Sequence, residues 1–382
     1  MIYLDHNATT PLHPRVFEAM EPFLKERWGN ASSPHRLGRD ARMAVEEARV
    51  KIAECVGAEP EEIVFTAGGT ESDNLAIRGV LQAVAKARKG WVVTSAVEHH
   101  AVLHTCQALE QAGHRIDYLP VNEDGQVELD AAARVLTSQT DLLSVMFANN
   151  ETGVVNPVVE LAELARERGV LIHTDAVQAL GKVPLNLKKL GVDLASFAAH
   201  KVYGPKGVGF LYVRRGTPLA PVLTGGHQER GLRPGTENVA GIVGMAEAVA
   251  LVCEAVEKEK ARLSELRDRL ERSICQRLGA VKVNGQAAPR VANTSSLSFD
   301  AVEGESLVLA LDLEGICVSS GSACTTGAPE PSHVLKAMGV PPRLAQGTIR
   351  ISLGLNTTAE EIDRTVETLE KVVQKLRAIS SV

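Results

Sequence analysis

Residues 170–213 read VLIHTDAVQALGKVPLNLKKLGVDLASFAAHKVYGPKGVGFLYV, and this segment carries a clear fold signal. It contains three short apolar runs, Val170–Thr174, Leu194–Ala198 and Gly207–Val213, which are separated by polar or glycine-containing residues. Runs of this length that are rich in Val, Leu, Ile and Phe and bounded by turn residues are typical of buried β-strands. We therefore predict three strands of one sheet in this segment.

The same alternation extends towards the N-terminus. Further strands are predicted at Ile63–Thr66, Trp91–Ser95 and Leu142–Ala148. Amphipathic helices are predicted between several of the strands, at Ser72–Arg88, Ala101–Gln111 and Val158–Arg168. This strand–helix–strand order predicts an α/β fold, in which a mainly parallel sheet has helices on both faces. Ligands of such sheets usually bind outside the carboxyl ends of the strands.

The composition is that of a soluble globular protein and argues against several classes of function. Of the 382 residues, 45% are hydrophobic and 23% are charged. A net charge of −6 and an aromatic content of 3% argue against a nucleic-acid partner. The first residues lack the pattern of a secretion signal, and Gly241–Val256, the most apolar stretch, is predicted as a buried helix rather than a membrane span. Six cysteines without a CxxC pair are no disulfide framework, so we expect a cytoplasmic protein.

The pattern changes towards the C-terminus. Ala255–Leu278 is predicted as one long charged helix, and strand-like runs follow at Ser295–Phe299 and Ile349–Leu353. Helices are predicted at Glu305–Leu313 and from Thr358, where the sequence Thr-Ala-Glu-Glu has the form of a capping box. This part is expected to be a smaller α+β domain that shares an extensive interface with the sheet domain, because no linker separates the two.

Two polar segments directly follow predicted strands, where an α/β sheet binds its ligands. The first, Thr66-Ala67-Gly68-Gly69-Thr70-Glu71-Ser72, opens a helix. Its glycine pair and its free N–H groups suit a phosphate, although an ordinary capped turn has the same form. The second segment contains Asp175, which lies at the carboxyl end of a predicted strand. This carboxylate could hold a cationic heterocycle nitrogen, bind a metal or cap the next helix.

Three further side chains are candidates for chemistry. Lys201 ends an apolar strand, and a lysine partly removed from water can form a Schiff base, whereas most lysines are simply exposed. Cys324 lies in a run of Ser, Thr and Gly, which predicts an exposed flexible loop where a thiolate could react. His99, just after a strand, could stack on a cofactor ring. His100 and His104 are four residues apart and could instead bind a metal.

Taken together and in this order, these segments resemble the cysteine desulfurases of the NifS/IscS type. The resemblance runs from Tyr3-Leu4-Asp5-His6-Asn7-Ala8-Thr9-Thr10 to Ile349-Arg350-Ile351-Ser352-Leu353-Gly354, and the discriminating piece is Ser-Ser-Gly-Ser-Ala-Cys at 319–324. It implies a homodimeric fold-type I enzyme of the class V aminotransferase-like family. The large domain, 15–255, would hold a mainly parallel seven-stranded sheet, and the small α+β domain, 1–14 with 256–382, would carry the Cys324 loop.

The resemblance also implies pyridoxal 5′-phosphate as the cofactor. Lys201 would bind it covalently, Asp175 would pair with the pyridinium nitrogen, and Gln178 would donate to the phenolic oxygen. His99 would stack on the ring and could transfer protons. Further cofactor contacts, mainly to the phosphate, would come from Gly69, Thr70, Asn149, His200 and, across the dimer interface, Thr236. Ala198 stands where many members of the family have a serine that contacts the phosphate.

The implied substrate is L-cysteine, whose carboxylate would bind Arg350, with further contacts from Asn149, Asn7 and Ala8. Lys201 would remove the α-proton, and the Cys324 thiolate would attack the substrate sulfur. The products would be L-alanine and a persulfide on Cys324. No metal would take part in catalysis, although Cys324 could contact a transferred cluster or iron.

The sulfur would pass from Cys324 to an iron–sulfur scaffold protein or another acceptor. The sequence Gly-Thr-Glu-Asn at 235–238 leans towards the nitrogenase-associated branch of the family. Three alternatives stay open at this point: a selenocysteine lyase, another pyridoxal-phosphate transaminase, and a non-catalytic scaffold of an iron–sulfur assembly complex.

Overall fold

The computed structural model describes residues 1–84, 88–321 and 331–380. The described strands, in chain order, are β1 (Ile2–Tyr3), β2 (Ile63–Thr66), β3 (Trp91–Ser95), β4 (Arg115–Leu119), β5 (Leu142–Ser144), β6 (Leu171–Asp175), β7 (Leu194–Ala198), β8 (Gly209–Val213), β9 (Val281–Val283), β10 (Thr294–Phe299), β11 (Ile316–Cys317), β12 (Ser319–Ser320) and β13 (Thr348–Ser352). The described helices are α1 (Pro14–Lys25), α2 (Arg36–Val56), α3 (Gly69–Val84), α4 (His100–Gln111), α5 (Leu129–Val135), α6 (Val158–Arg168), α7 (Leu187–Leu190), α8 (Val239–Arg277), α9 (Gly304–Leu313), α10 (His333–Ala337), α11 (Pro342–Gln346) and α12 (Ala359–Ser380).

Seven strands form the central sheet, in the order β2-β8-β7-β6-β5-β3-β4. Only β8 runs antiparallel to its neighbours, so the predicted mainly parallel sheet is confirmed. The carboxyl ends of β2, β3, β5, β6 and β7 therefore meet at one edge, and the polar segments that follow them converge there. The edge strand β4 was missed from the sequence because Arg115, Asp117 and Tyr118 interrupt its apolar residues.

Most element boundaries agree with the sequence prediction, and two elements differ from it. Strand β5 is shorter than the predicted Leu142–Ala148, although the N–H groups of Val145 and Phe147 still donate to β6 at 3.1 and 2.8 Å. The charged helix predicted from Ala255 is continuous with the apolar helix before it, because neither glycine nor proline interrupts the chain between them. The Asn238 side chain caps α8 by accepting from the Gly241 N–H at 3.0 Å.

The C-terminal part has its own sheet and its own apolar core. Strands β12, β13, β10 and β9 form an antiparallel sheet in that order, and β1 pairs with β11. A separate cluster of buried side chains packs against them, including Leu4, Leu270, Phe299, Ile351 and Leu369. The predicted capping box at the start of α12 is present, since Thr358 and Glu361 exchange hydrogen bonds at 3.1 and 3.2 Å. The domain boundary near residue 255 falls inside α8 and stays a prediction.

Helix α8 connects the two cores. By length and composition it could cross a membrane, but 61% of its most apolar 18-residue window is buried inside the molecule. This burial is that of a core helix, as predicted for Gly241–Val256.

Candidate functional site

A cavity of about 360 Å³ opens at the carboxyl edge of the central sheet. Ten of the cofactor- and substrate-contact residues predicted from the sequence line it: Asn7, Ala8, Gly69, Thr70, His99, Asp175, Gln178, His200, Lys201 and Arg350. Asn149 and Thr236 are not among its lining residues, and Cys324 lies outside the described residues. Predicted positions that are far apart in the chain thus meet in one cleft.

Lys201 reaches the cleft from a single turn of 3-10 helix that follows β7. Its Nζ donates to the backbone carbonyls of Asn7 and Ala8, at 2.6 and 2.7 Å. The N-terminal segment is fixed in turn by Thr10, whose N–H and hydroxyl both donate to the His200 carbonyl, at 2.8 and 2.9 Å. The amine is therefore held in place by carbonyl acceptors from the start of the chain.

Asp175 ends β6 and is buried. Burial raises the pKa of its carboxyl to about 6, against the opposing effects of the Val177 N–H bond at 2.9 Å and the charge of Lys201. A second buried carboxyl, Asp73, lies beside it, and burial together with the charge of Asp175 raises the pKa of Asp73 well above its ordinary value. Since two close buried carboxyls resist ionising together, Asp175 is the more acidic of the pair.

A buried polar network lies behind these acids. The His173 ring bonds Ser144 and Ser196, both at 2.9 Å, and its Nε2 lies 3.6 Å from Asp73 Oδ1. Burial lowers the pKa of His173 to about 3, so the ring is neutral at neutral pH. The network ends at Asp73, on which the charge of Asp175 acts.

His99 stands at the N-cap of α4, and its Nδ1 accepts the Ala101 N–H at 3.1 Å. Burial and the charge of Lys201 lower the pKa of His99 to about 4, so the ring is neutral. Because Nδ1 is the acceptor, the proton of the neutral ring is on Nε2. His99 can thus offer a donor to a group bound in the cleft.

The N-terminus of α3 forms the anion-binding side of the cleft. Gly68 adopts a φ of +150°, which favours glycine, and a Cβ on Gly69 would lie 2.8 Å from Val177 Cγ2. Thr70 opens the first turn, where free N–H groups and the helix dipole favour a phosphate. His200 Nδ1 lies 3.2 Å from Thr9 Oγ1, and burial lowers the pKa of His200 to about 4.

Arg350 projects from β13, and its side chain is only 3% exposed. Its guanidinium donates to Asp5 Oδ1 at 2.8 Å and to the Asn150 carbonyl at 3.0 Å. Its Nε is buried without a hydrogen-bond partner in the described part of the chain. A buried unsatisfied donor in a cleft suits an anionic ligand such as a carboxylate.

Asn149 and its neighbour Asn150 have different surroundings. The Asn149 Oδ1 accepts the N–H groups of Glu151 and Thr152, both at 2.9 Å, and its Nδ2 donates to the Val97 carbonyl at 3.0 Å. Its neighbour Asn150 lines the cavity. A cofactor and substrate contact by Asn149 stays a prediction.

The histidines near α4 were the candidate metal ligands of the sequence. The rings of His100 and His104 stack with centroids 4.8 Å apart, and His333 lies 4.9 Å from His100. Within residues 1–84, 88–321 and 331–380, no group of three or more His, Cys, Asp or Glu is arranged to hold a metal ion.

Two polar residues were not predicted from the sequence: the buried Asp73, which lines the cleft, and the partly buried Lys182, which lies beside it. Asp73 follows Thr70 by three positions and so shares a helix face with it, on a helix whose other buried residues are mostly apolar. Lys182 follows Gln178 by four positions and reaches it through a hydrogen bond. The spacing of Thr70 and Asp73 is a usable signal, because side chains three apart meet across a turn of α3, whereas Gln178 and Lys182 lie in a turn outside the helices.

Glu98 is fully buried beside the site. Its Oε1 accepts from Ser95 Oγ at 2.5 Å and from the Met146 N–H at 2.8 Å. Burial raises the pKa of Glu98 to about 8, so the group is mostly protonated at neutral pH.

We expect Glu98→Gln to reduce the loss of stability between about pH 5 and pH 8. The unfolded chain ionises Glu98 near its ordinary pKa of 4.5, whereas the folded protein does so only near 8. The unfolded state is therefore favoured increasingly as the pH rises from about 5 to 8, by up to about 1.4 kcal/mol per pH unit. Melting temperatures at about pH 6 and pH 8 measure the effect, with exposed Glu123→Gln as the control. An equal difference between variant and wild type at both pH values would contradict the assignment.

Comparisons with known proteins agree with this geometry. The aminotransferase class-V profile matches residues 2–365. The chain is 52% identical over 379 residues to the cysteine desulfurase IscS of Dictyoglomus turgidum, covering 99% of this chain and 96% of that protein. A solved NifS-like protein shares 39% identity with a TM-score of 0.91, covering 98% of this chain and 99% of that one. The structure of SspA in complex with cysteine shares 33% identity with a TM-score of 0.80, covering 92% and 99%.

The family and fold follow from these findings. The profile covers nearly the whole chain, and the relatives match it from end to end. The mainly parallel sheet and the structural neighbours are those of a fold-type I enzyme. This chain therefore belongs to the aminotransferase class-V family.

Proposed function

We propose that this protein is a cysteine desulfurase, which transfers the sulfur of L-cysteine to Cys324 as a persulfide and releases L-alanine. The observation that carries this proposal is the convergence of Lys201, Asp175 and Arg350 in one cleft. These residues offer an amine, a buried acid and an unsatisfied guanidinium N–H to a bound amino acid and its cofactor. The 52% identity to a cysteine desulfurase supports the choice of substrate.

The residues of the cleft fit pyridoxal 5′-phosphate, on which the family depends. When bound, this cofactor acts as an electron sink for bond cleavage at an amino acid. Lys201 would bind it covalently, and Asp175 would pair with its ring nitrogen. The buried donor at Arg350 Nε, which no described group satisfies, matches a ligand carboxylate next to that position.

The remaining cofactor contacts follow from the lining of the cleft. Gln178 would donate to the phenolic oxygen, and His99 would cover the ring with its proton on Nε2. The phosphate would lie at the N-terminus of α3, against Gly69, Thr70 and His200. Because Ala198 offers no hydroxyl here, the phosphate would depend more strongly on the helix terminus.

Lys201 and His99 would take part in proton transfer. Lys201 Nζ, held between the carbonyls of Asn7 and Ala8, would take the α-proton of the substrate. Cys324 Sγ, as thiolate, would form a bond to the substrate sulfur while the carbon–sulfur bond breaks. The electron pair of that bond would remain with the substrate β-carbon, which takes a proton, and Lys201 would return a proton to the α-carbon before the product leaves as alanine. The enzyme thiol thereby becomes a persulfide.

Partners and assembly belong to the same proposal. The protein would be a cytoplasmic homodimer, in which Thr236 reaches the phosphate of the other subunit. Exposed apolar side chains on and after α1, namely Phe17, Leu24 and Trp28, suit such a partner surface. The persulfide sulfur would pass to an iron–sulfur scaffold protein or another acceptor.

Absorbance spectra before and after addition of L-cysteine, together with assays for alanine and sulfide, test the proposal. We expect a band of the bound cofactor that changes with cysteine, and alanine formed in step with the sulfur released in the presence of a thiol. L-serine, which lacks the sulfur, is the matched control ligand. A band that cysteine leaves unchanged would rule out the substrate, and a colourless protein after reconstitution would rule out the cofactor.

Arg350→Lys is expected to raise the KM for L-cysteine about 10- to 100-fold, with a smaller change in kcat. The Arg350 guanidinium donates to Asp5 and to the Asn150 carbonyl, and its Nε–H has no partner among the described residues. The ammonium group of a lysine at this position lacks the planar pair of N–H donors that binds a carboxylate. Steady-state alanine formation measures the change. Arg343→Lys, an exposed arginine paired with Asp300, is the control. An unchanged KM would remove Arg350 from the substrate site.

A further inference from the structure

Lys182 has a place in the site that the proposed reaction does not use. It lies seven positions after Asp175, in the turn that follows β6, and lines a small cavity beside the cleft. Its Nζ donates to Gln178 Oε1, and also to Asn7 Oδ1 at 2.8 Å. Both acceptors are side-chain amides of residues that line the cavity.

These two bonds fix which way each amide faces. A lysine amine donates two hydrogen bonds when neutral and three when protonated, so it can serve both oxygens in either state. With the oxygens turned to Lys182, the NH2 groups point elsewhere. Gln178 Nε2 donates to the Asn7 carbonyl at 3.0 Å, and Asn7 Nδ2 donates to Thr294 Oγ1 at 2.9 Å.

The Asn7 carbonyl joins this arrangement to the catalytic amine. It accepts from Gln178 Nε2 and also from Lys201 Nζ, the latter at 2.6 Å. A rotation of the Gln178 amide would therefore remove one of the two donors to the carbonyl that holds Lys201. The Asn7 side chain is held by one more hydrogen bond, which Asn293 Nδ2 donates to Asn7 Oδ1 at 3.1 Å.

The surroundings of Lys182 disfavour the positively charged form of its amine. Burial lowers the pKa of Lys182 well below its ordinary value, and the positive charges of Lys201 and Arg350 act in the same direction. His6 lies near it as well, while Glu259, which lines the small cavity beside Lys182, pairs with Arg262 at 2.7 Å. A partly buried lysine among other cations is an unfavourable choice for packing alone.

We propose that Lys182 is a positioning residue, which orients the amides of Gln178 and Asn7 so that Gln178 presents its N–H group to the phenolic oxygen of the bound cofactor. The inference rests on the proposed function. It predicts that removal of the amine frees the Gln178 amide to rotate, and that the cofactor then loses a hydrogen bond.

Lys182→Met tests the inference through the spectrum of the bound cofactor. We expect the cofactor dissociation constant to rise about 3- to 10-fold, because one hydrogen bond is lost. The pH at which the cofactor band titrates should rise by about 0.5 to 1 unit, since the donor to the phenolic oxygen no longer opposes protonation of the neighbouring nitrogen. A purely structural role would lower the melting temperature without moving this pH.

Two further variants separate orientation from charge and from packing. Lys182→Gln keeps N–H donors without the charge, so it should titrate close to the wild type. Gln178→Leu should shift the titration as Lys182→Met does, and the double variant should shift it no further, because both changes remove the same bond. Lys188→Met, at an exposed lysine paired with Glu59, is the matched surface control.

The outcomes are distinct from those that test the function itself. A wild-type protein that binds no cofactor would overturn the proposed function. A wild-type protein with a normal cofactor band, together with a Lys182→Met variant of unchanged titration, would overturn only the role of Lys182. Equal shifts in Lys182→Met and Lys182→Gln, or additive shifts in the double variant, would overturn it too. If Lys182→Met does not fold, the comparison of Lys182→Gln with Gln178→Leu decides.

Discussion

Replacing Lys201 with alanine is expected to abolish the covalent attachment of the cofactor. The rate of alanine formation should fall by about 100- to 10,000-fold. The amine that the Asn7 and Ala8 carbonyls hold is the nucleophile and the base of the proposed reaction, and positioned acid–base groups contribute on this scale. No other described lysine shares these two acceptors, since Lys182 bonds side-chain amides instead.

The measurement is the absorbance of the purified variant with and without added cofactor, followed by mild borohydride reduction and mass analysis. The wild type should retain one reduced cofactor on a peptide that contains Lys201, and Lys201→Ala should retain none. Lys189→Ala, at an exposed lysine of α7, controls for the loss of a positive charge. Retained covalent cofactor in Lys201→Ala would assign the role to another amine.

Replacing Cys324 with alanine is expected to separate cofactor chemistry from sulfur transfer. The cofactor band and its response to L-cysteine should remain, because the groups that hold cofactor and substrate carboxylate lie on other segments. Alanine formation should fall by two orders of magnitude or more, on the order of the loss of an essential nucleophile. Cys324 itself lies outside the described residues, so this prediction rests on the family resemblance.

Radiolabelled or mass-tagged sulfur from cysteine measures the second effect directly. The wild type should carry one labile extra sulfur on the peptide that contains Cys324, and the variant should carry none. Cys275→Ala is the control, because Cys275 is an exposed thiol on α8 and distant in sequence from the proposed nucleophile. Undiminished sulfide release from Cys324→Ala would end the persulfide mechanism.

The buried strands were predictable because their apolar runs are set by local burial. Leu194–Ala198 coincides with β7, and Trp91–Ser95 with β3. The edge strand β4 was not predictable in this way, because its partly exposed positions carry polar side chains. Its pairing with β3 tolerates these side chains. Tertiary pairing, rather than periodicity, determines such a strand.

The candidate site was predictable where a residue stands in a distinctive motif. Lys201 and Asp175 follow apolar strands, and both line the cleft. Lys182 looks like an ordinary surface lysine in the sequence, since only its long-range bond to Asn7 reveals its place. The separate surroundings of Asn149 and Asn150 also depend on how one turn folds, which composition does not determine.

The pairing of the first residues has a consequence for the order in which the site is completed during synthesis. The Asn7 N–H donates to Ser352 Oγ, 345 positions further along the chain, and β1 pairs with β11. The sheet that carries Asp175 and Lys201 can form while the ribosome is still translating the C-terminal third, because N-terminal domains generally fold first. The contacts of Asp5 and Asn7 with β13 can form only after that strand is made, so a stalled or truncated chain would hold a folded sheet and an incomplete cleft.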